Sequence, residues 1–354
     1  MRRFATAFRV ELKRIVNDRA YLAIITVLPA VALLFFYCYF SGSGVEQLPI
    51  VVVDNSSSSL SERLVNMIDA TRSVSVDYKA TDQSEAMALI NSGKAYAAVV
   101  IPADFERNIL RGEQAVVALY NSGANISTNG FIEKDIATVV ATFSAGIELN
   151  RGRTMAQIMP IRLNRRVLFN PYLNYGYYLA PCFMPMMVMI FTVLATVMAT
   201  AERRTESLAQ LMGRVAPTTI AMSIFAILML LIIFRAIGTP LRGSATMIVA
   251  ATLLLIAVYQ TVALLFVGVT HSRHLALSLG GGYSVVAFTL SGLTFPTMAM
   301  ALPLRALSYL FPFTYYMEIV VDQALRGASW EVSMARIGYM SLFLLLPALI
   351  YRRL

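Results

Sequence analysis

The residues whose types could support catalysis are few, and the sequence does not bring them together. The chain has two histidines, His271 and His274, and the serine that best fits a nucleophile, Ser291, lies in a later apolar run. A hydrolase needs its nucleophile and base within hydrogen-bond reach, but the intervening run separates them by about one membrane thickness. The nearest approach to a phosphate-binding loop, Ser92-Gly93-Lys94-Ala95, lacks the first glycine and the final Ser or Thr of that motif. The sequence therefore predicts neither catalysis nor nucleotide binding by this chain.

The composition indicates an integral membrane protein. Of 354 residues, 58% are apolar and 14% are charged, and the mean hydropathy is +0.66; soluble proteins are about 45–50% apolar and about 25% charged. Two cysteines exclude a disulfide framework, and no Cys/His pair has zinc-site spacing. The basic residues behind the net charge of +9 lie at the ends of apolar runs, as in membrane proteins. We therefore expect no bound metal or cofactor and no nucleic-acid partner.

The apolar runs predict six membrane spans, because a spanning helix needs about 20 mainly apolar residues. Five uncharged runs reach that length, at residues 20–45, 167–201, 215–234, 243–270 and 275–304. A sixth run, residues 337–351, is shorter and spans only if Arg336 extends its side chain towards the membrane surface. Six is an even number, so both termini are expected on one side.

The basic residues predict which side that is, because short cytoplasmic loops are enriched in Lys and Arg. Twelve lie on one face: Arg2, Arg3, Arg9, Lys13, Arg14, Arg19, Arg203, Arg204, Arg214, Arg273, Arg352 and Arg353. Five lie in the opposite loops or at span ends: Arg235, Arg242, Arg305, Arg326 and Arg336. This excess predicts that both termini and the loop at residues 201–217 are cytoplasmic.

Two segments outside the spans have their own patterns. In residues 1–19, Phe4, Phe8, Leu12 and Ile15 share one helical stripe beside charged residues, which favours an amphipathic helix in the inner membrane interface. A disordered basic tail is the alternative. Residues 46–166 form a large polar block on the outer side.

Alternating strands and helices in this block predict a small extracytoplasmic α/β domain with a mixed sheet. The expected strands are residues 48–53, 74–78, 95–101 and 115–120, and the expected helices are residues 60–70, 82–91, 104–110 and 128–150.

Transport is indicated by what the spans contain. The middles of the spans carry no charge, whereas ion-coupled carriers keep ionisable groups there, so any energy must come from elsewhere. The second span is rich in methionine, a residue that adapts to varied apolar shapes. Two interpretations remain open, a path for hydrophobic or amphiphilic cargo and ordinary packing. Candidates for the path are Met184, Met187, Phe191 and Phe295.

Residues 295–326 are too apolar for a solvated loop and too interrupted by proline for a span. They contain Pro296, Pro303 and Pro312, with Glu318 and Asp322 near the end. Irregular backbone at membrane depth must be covered by protein, so we expect a re-entrant pair of short helices in the outer leaflet that acts as a gate. An amphipathic surface hairpin is the alternative.

Three stretches resemble the type-2 ABC exporter permeases, in the subgroup with a large extracytoplasmic domain after the first span. They are Leu168-Phe169-Asn170-Pro171 before Pro181; residues 202–211 (ERRTESLAQL) before Pro217; and Leu290-Ser291-Gly292, Phe295-Pro296, Leu302-Pro303 and residues 310–316 (LFPFTYY) before Gly327. The chain departs from the family pattern at Arg204, Glu206-Ser207 and Asp322.

The resemblance implies a mainly α-helical permease subunit of six spans that is not itself an enzyme. A separate cytoplasmic ATP-binding subunit would bind ATP and Mg²⁺ and push on the loop at residues 201–217. The residues implied in this coupling are Glu202, Arg203, Arg204, Glu206 and Gln210. Each could instead be only an interface anchor.

The other implied partners are a second permease copy or a relative, membrane lipids and a periplasmic adaptor. The alternative function is a non-transporting receptor or scaffold whose outer domain binds a ligand or an envelope protein. The sequence names neither the cargo nor the direction of transport.

Overall fold

Helices make up most of the chain in the computed structural model, which describes residues 2–41, 47–121, 126–152, 174–201, 207–293 and 295–349. Internal contacts divide the chain into two units, each described by itself. Met1–Gly42 with Val167–Leu354 form the helical unit, and Ser43–Arg166 form the sheet unit. Among the described residues, four helices are long and apolar enough to span a membrane: Arg19–Phe40, Gly176–Thr200, Leu208–Ala236 and Ala245–Thr270.

The helical unit begins with an amphipathic helix that leads into the first candidate span. The elements are α1 (Arg2–Asn17), α2 (Arg19–Leu22), a π-helical turn (Ala23–Val27) and α3 (Leu28–Ser41). Asp18 separates α1 from α2, because its Oδ1 accepts hydrogen bonds from the N–H groups of Ala20 (3.0 Å) and Tyr21 (3.2 Å). α1 agrees with the helix expected within residues 1–19.

The sheet unit alternates strands and helices. Its described elements are β1 (Leu48–Asp54), α4 (Ser59–Asp69), β2 (Val74–Lys79), α5 (Gln83–Asn91), β3 (Ala97–Ile101), α6 (Phe105–Arg111), β4 (Ala118–Asn121) and α7 (Ile126–Asn150). The strand order is β2-β1-β3-β4, with β1 parallel to both neighbours and β4 antiparallel to β3. The mixed sheet is confirmed, and the element bounds differ from those expected by at most three residues.

β1 lies at the centre of this sheet and is covered on both faces. Side chains alternate between the faces of a strand, and Ile50 and Val52 join a core with α4 and α7, whereas Val51 and Val53 join a smaller core with α5. A strand buried on both faces reads as a continuous apolar run, which explains the residues that precede Asp54.

The remaining helices of the helical unit pack around two long central helices. They are α8 (Tyr175–Thr200), α9 (Leu208–Leu231) with a π turn (Ile232–Ala236), α10 (Ala245–Thr270), α11 (Arg273–Thr289), α12 (Leu302–Ser308), α13 (Pro312–Val320) with a π turn (Val321–Arg326), and α14 (Trp330–Ser341). α8 packs against α3, α9, α10 and α11. A Cβ at Gly280 of α11 would lie 2.5 Å from Val193 Cγ1 of α8, so the missing side chain allows close packing there.

α9 begins earlier than its apolar run predicts. The run starts at residue 215, but the helix starts at Leu208, because Ser207 caps it by accepting a hydrogen bond from the N–H of Gln210 (3.4 Å). Pro217 consequently lies inside α9, and the loop expected at residues 201–217 ends at Ser207.

The helices at the last two expected spans also differ from the expected bounds. α11 ends at Thr289 and not at residue 304, since Ser291 Oγ bonds to the Phe288 carbonyl (2.6 Å) and Gly292 adopts a left-handed φ of 88°. α14 begins at Trp330, before residue 337, and continues as a 3₁₀ helix at Leu342–Leu349. The ends expected at residues 45 and 351 and the start at residue 167 lie outside the described residues.

After α11 the chain re-enters the bundle. The Tyr178 hydroxyl, in the first turn of α8, donates to the Leu293 carbonyl (2.7 Å), so residue 293 lies at the end of the bundle where α8 begins. The 3₁₀ turn Thr297–Ala299 and α12 follow, and Phe311 then lies against Tyr283 of α11, with ring centroids 5.1 Å apart.

α13 then runs back along α10. The Tyr316 hydroxyl lies 3.1 Å from Thr252 Oγ1, which is about 10 Å along α10 from its start at 1.5 Å per residue. At the end of the segment, the Gly243 N–H donates to the Gln323 carbonyl (2.7 Å) beside the start of α10. Residues 295–326 therefore enter and leave the bundle at the same end, as a re-entrant segment does.

Candidate functional site

α1 is held against the start of α9 by close backbone packing. A Cβ at Gly213 would lie 2.5 Å from the Phe4 carbonyl oxygen and 2.9 Å from Ala7 Cβ. Such approaches are possible only because Gly213 has no side chain. α1 is therefore fixed to α9 and is not a free tail.

Arg14 ties α1 to the end of α8. Its Nη1 donates a 2.8 Å hydrogen bond to the Met198 carbonyl, in the last turn of α8, where cations are favoured. The same guanidinium lies 3.5 Å from Glu11 Oε1 and 5.7 Å from the centroid of the Tyr21 ring. Glu11 and Tyr21 are fully buried, so Arg14 organises a polar cluster within the helical unit.

A groove of about 330 Å³ lies between α1 and α9. Its lining combines three arginines with a buried carboxylate: Arg2, Arg3, Thr6, Ala7, Val10, Glu11, Gln210 and Arg214. Gln210 is in the first turn of α9, so the groove lies at the start of that helix. A basic, partly apolar groove of this kind suits the docking of an acidic or amphipathic surface.

Of the predicted coupling residues, the structure describes Gln210, which lines this groove. Glu202, Arg203, Arg204 and Glu206 lie outside the described residues. They fall between the end of α8 and the start of α9, and α1 contacts both of these helix ends.

The structure brings three of the four cargo-path candidates together. Met184 and Phe191 are buried in one apolar cluster among α3, α8 and α9, and Met187 packs against it. Phe191 also makes an edge-on contact with Phe225, with ring centroids 5.9 Å apart. Phe295 lies elsewhere, in the re-entrant segment, and is 52% exposed.

The three prolines of the re-entrant segment lie at helix starts. Pro296 precedes the 3₁₀ turn, Pro303 is in the first turn of α12, and Pro312 is the first residue of α13. Proline is tolerated there because those N–H groups have no partner within the helix. The prolines therefore define where the segment changes direction.

The two acidic candidates lie one helical turn apart and bind the same arginine. Arg336 Nε donates to Glu318 Oε2 (2.6 Å), and Arg336 Nη1 bonds to Asp322 Oδ2. Arg326 adds a 3.1 Å bond to the other oxygen of Asp322. Asp322 is 2% exposed, so its charge is neutralised by these two guanidinium groups and not by solvent.

Two residues of this cluster were missed as site candidates. Arg336, expected to extend towards the membrane surface, instead joins α14 to α13. Gln323 donates to Ser333 Oγ (2.8 Å) and accepts from the Ser244 N–H (2.8 Å), so it links three elements. Both residues are polar and stand at helical spacing in an apolar stretch, and this pattern could have indicated them in the sequence.

Comparison with known proteins identifies the family. Residues 19–351 match the ABC-2 family transporter proteins. The chain belongs to this family. The permease is 22% identical over 357 residues to the probable multidrug ABC transporter permease YbhR of Escherichia coli K12, which covers 93% of this chain and 92% of the relative. It is 22% identical over 336 residues to the probable multidrug ABC transporter permease YbhS of the same organism, which covers 90% of this chain and 87% of the relative.

The comparison with solved structures found no match. The family and the four candidate spans identify the chain as an integral membrane protein and as the permease of an ABC transporter. The resemblance noted in the sequence is therefore confirmed at the level of the family. Permeases of this family work in general with an ATP-binding subunit.

Proposed function

We propose that this permease is the membrane subunit of an ATP-driven exporter and that it receives force through α1 and residues 201–207. A separate cytoplasmic subunit would bind and hydrolyse ATP with Mg²⁺. The observation that carries the proposal is the attachment of α1 to both sides of residues 202–206. Arg14 bonds to the end of α8, and Gly213 packs α9 against Phe4.

This attachment suggests how a push would reach the bundle. α8 packs against four other helices, and α9 is joined to α10 by a 2.9 Å bond from Gln260 Nε2 to Thr219 Oγ1. A displacement of α1 would therefore be transmitted to both α8 and α9. The side chains of α8 that are now buried against α9 would then contact different residues.

The proposed orientation places α1 in the cytoplasm and the sheet unit outside a bacterial inner membrane. The distribution of Lys and Arg supports it. α11 and the helical stretch from α14 to Leu349 would complete six spans, and residues 295–326 would form the outer gate. Two permeases, either identical or related, would make one exporter, with membrane lipids and a periplasmic adaptor as further partners.

The proposed cargo is hydrophobic or amphiphilic. Both relatives are probable multidrug permeases. In this chain, Met184, Met187 and Phe191 form an adaptable apolar surface between helices. Because these side chains are covered, a cargo would reach them only when α8 and α9 move apart.

Coupling is tested by reconstituting the permease with its ATP-binding subunit and measuring how far the permease stimulates ATP hydrolysis. The double variant E202A/E206A is expected to lose most of the stimulation while still inserting into the membrane. The matched control is E133A/D135A, which removes two acidic residues from α7 in the sheet unit. Stimulation that is unchanged in E202A/E206A would contradict the proposed coupling loop.

Purification in mild detergent separates this function from the receptor or scaffold. Recovery of an ATP-binding protein with the permease supports the exporter. Recovery of only envelope proteins would favour the scaffold.

A further inference from the structure

A cavity of about 440 Å³ opens in the sheet unit, apart from the apolar cluster assigned to the cargo path. Its walls are α6 and α7, and its base reaches Leu64 of α4 and Val117 before β4. Phe105 and Phe143 belong to its lining and stack on each other, with ring centroids 6.3 Å apart and both side chains nearly buried. Its volume lies within the range of about 300–1,000 Å³ that is typical of small-molecule sites.

The cavity exists because α6 is short. α6 ends after seven residues at Gly112, whose left-handed φ of 79° turns the chain away. The Gly112 N–H bonds to the Ile109 carbonyl (3.0 Å), and the Glu113 N–H bonds to the Asn108 carbonyl (2.9 Å). This pattern is a Schellman cap. α7 continues past this point, so no helix of the described chain covers the surface of α7 near Ile147.

The same cap fixes an acidic residue at the rim. Because the Glu113 N–H is hydrogen-bonded to α6, its backbone is held beside the cavity, and its exposed side chain extends from the rim. Across the mouth, Arg151 Nη1 donates to Glu148 Oε1 (2.7 Å) and lies 4.0 Å from the position of a Cβ at Gly112. The charged residues that line the cavity are two glutamates and one arginine, so the rim carries a net negative charge.

The sheet unit as a whole is close to neutral. Residues 43–166 contain thirteen Asp and Glu and twelve Lys and Arg, although the whole chain has a net charge of +9. The excess of negative charge that attracts a cation is therefore local to the rim of the cavity.

We propose that this cavity binds a hydrophobic organic cation. The apolar body of the ligand would lie in the cavity against the stacked rings of Phe105 and Phe143 and beside Ile147. The cationic centre would lie near Glu113, which supplies the excess negative charge. A neutral apolar molecule would gain nothing from the rim, and an anionic one would be disfavoured by it.

The site goes beyond the proposed export function, because it would hold a ligand in the sheet unit without ATP or a second subunit. Binding to the full-length permease alone therefore tests it. Failure to bind would leave ATPase coupling untouched, and failure of coupling would leave binding untouched.

The experiment is equilibrium dialysis of the purified permease with tetraphenylphosphonium, corrected for uptake by protein-free micelles. Tetraphenylborate, which has nearly the same shape and the opposite charge, is the matched probe. We expect the cation to bind at least tenfold more tightly than the anion. Equal binding of the two ions would overturn the proposal.

Variants locate the site. S144W places a large ring in the cavity and is expected to weaken cation binding at least tenfold, whereas T142W, on another face of α7, is the control. E113Q is expected to weaken binding about fivefold, and E133Q to leave it unchanged. If both S144W and E113Q bind the cation as the wild type does, the cation binds elsewhere and the proposal is overturned. If S144W does not fold, unchanged binding by E113Q alone overturns the proposal.

Discussion

Arg336 lies 14 residues from Asp322 and 18 from Glu318, and its guanidinium binds both carboxylates. An exposed ion pair contributes about 0–1 kcal/mol to stability. A charge left unpaired in a buried site costs about 3–5 kcal/mol. Asp322 is 2% exposed. Removal of Arg336 would therefore take a partner from a buried charge, and the larger cost applies.

Replacement of Arg336 should therefore separate α13 from α14. R336M leaves Glu318 without this partner and Asp322 with only Arg326, so we expect a loss of about 3 kcal/mol in unfolding free energy. R326M is the matched control, because its side chain is 57% exposed, and its cost should be under about 1 kcal/mol. Thermal unfolding in detergent measures both.

The neutral variant E318Q/D322N/R336M should recover most of the loss, because it leaves no buried unpaired charge, and Arg326, which loses Asp322, is 57% exposed. Equal destabilisation by R336M and R326M would show that burial does not strengthen the Arg336 pairs.

At the residue scale, the sequence could predict part of this cluster. Glu318 and Asp322 were identifiable as acidic residues one helical turn apart in an apolar segment. Their partner was not, because Arg336 is on a different helix and pairing depends on how α13 and α14 pack. Phe295 shows the same limit, since its residue type suggests a path but the fold leaves it exposed.

At the scale of elements, the contact between α1 and α9 depends on a single glycine. In an exposed helix, Gly→Ala is favourable by about 1 kcal/mol. At Gly213 the added Cβ would lie 2.5 Å from the Phe4 carbonyl oxygen, so α1 must move.

We expect G213A to increase amide hydrogen exchange throughout α1 and to reduce stimulation of the ATP-binding subunit. G281A in α11 is the control, because a Cβ at Gly281 has no atom within 4 Å among the described residues. Unchanged exchange in α1 of G213A would show that α1 is not held by this contact.

Element bounds were predictable where turn residues mark them. The sheet unit has such signals between its strands, and its elements were located to within three residues. In the helical unit, turn residues do not mark the helix ends. α9 continues through Pro217, and α11 ends inside an apolar run. There the ends depend on single hydrogen bonds, such as the cap from Ser207, which composition does not reveal.

At the scale of the whole molecule, the orientation can be tested with the two native cysteines replaced. In a C38S/C182S background, T6C in α1 should react with a membrane-impermeant maleimide only after the cells are opened. N91C, at the end of α5, should react in spheroplasts. The reasons are the Lys and Arg excess on one face and the polar composition of the sheet unit.

The reverse pattern would place α1 outside and would exclude contact with a cytoplasmic ATP-binding subunit. Labelling of both sites in closed spheroplasts would also contradict the proposed arrangement.

The helical unit receives its two links to the sheet unit at neighbouring points. A Cβ at Gly176, near the start of α8, would lie 3.2 Å from the Phe40 carbonyl oxygen, near the end of α3. A gap this narrow can be closed by a handful of glycines at small entropic cost. Replacement of the sheet unit by such a linker is therefore expected to leave the packing of α3 against α8 unchanged.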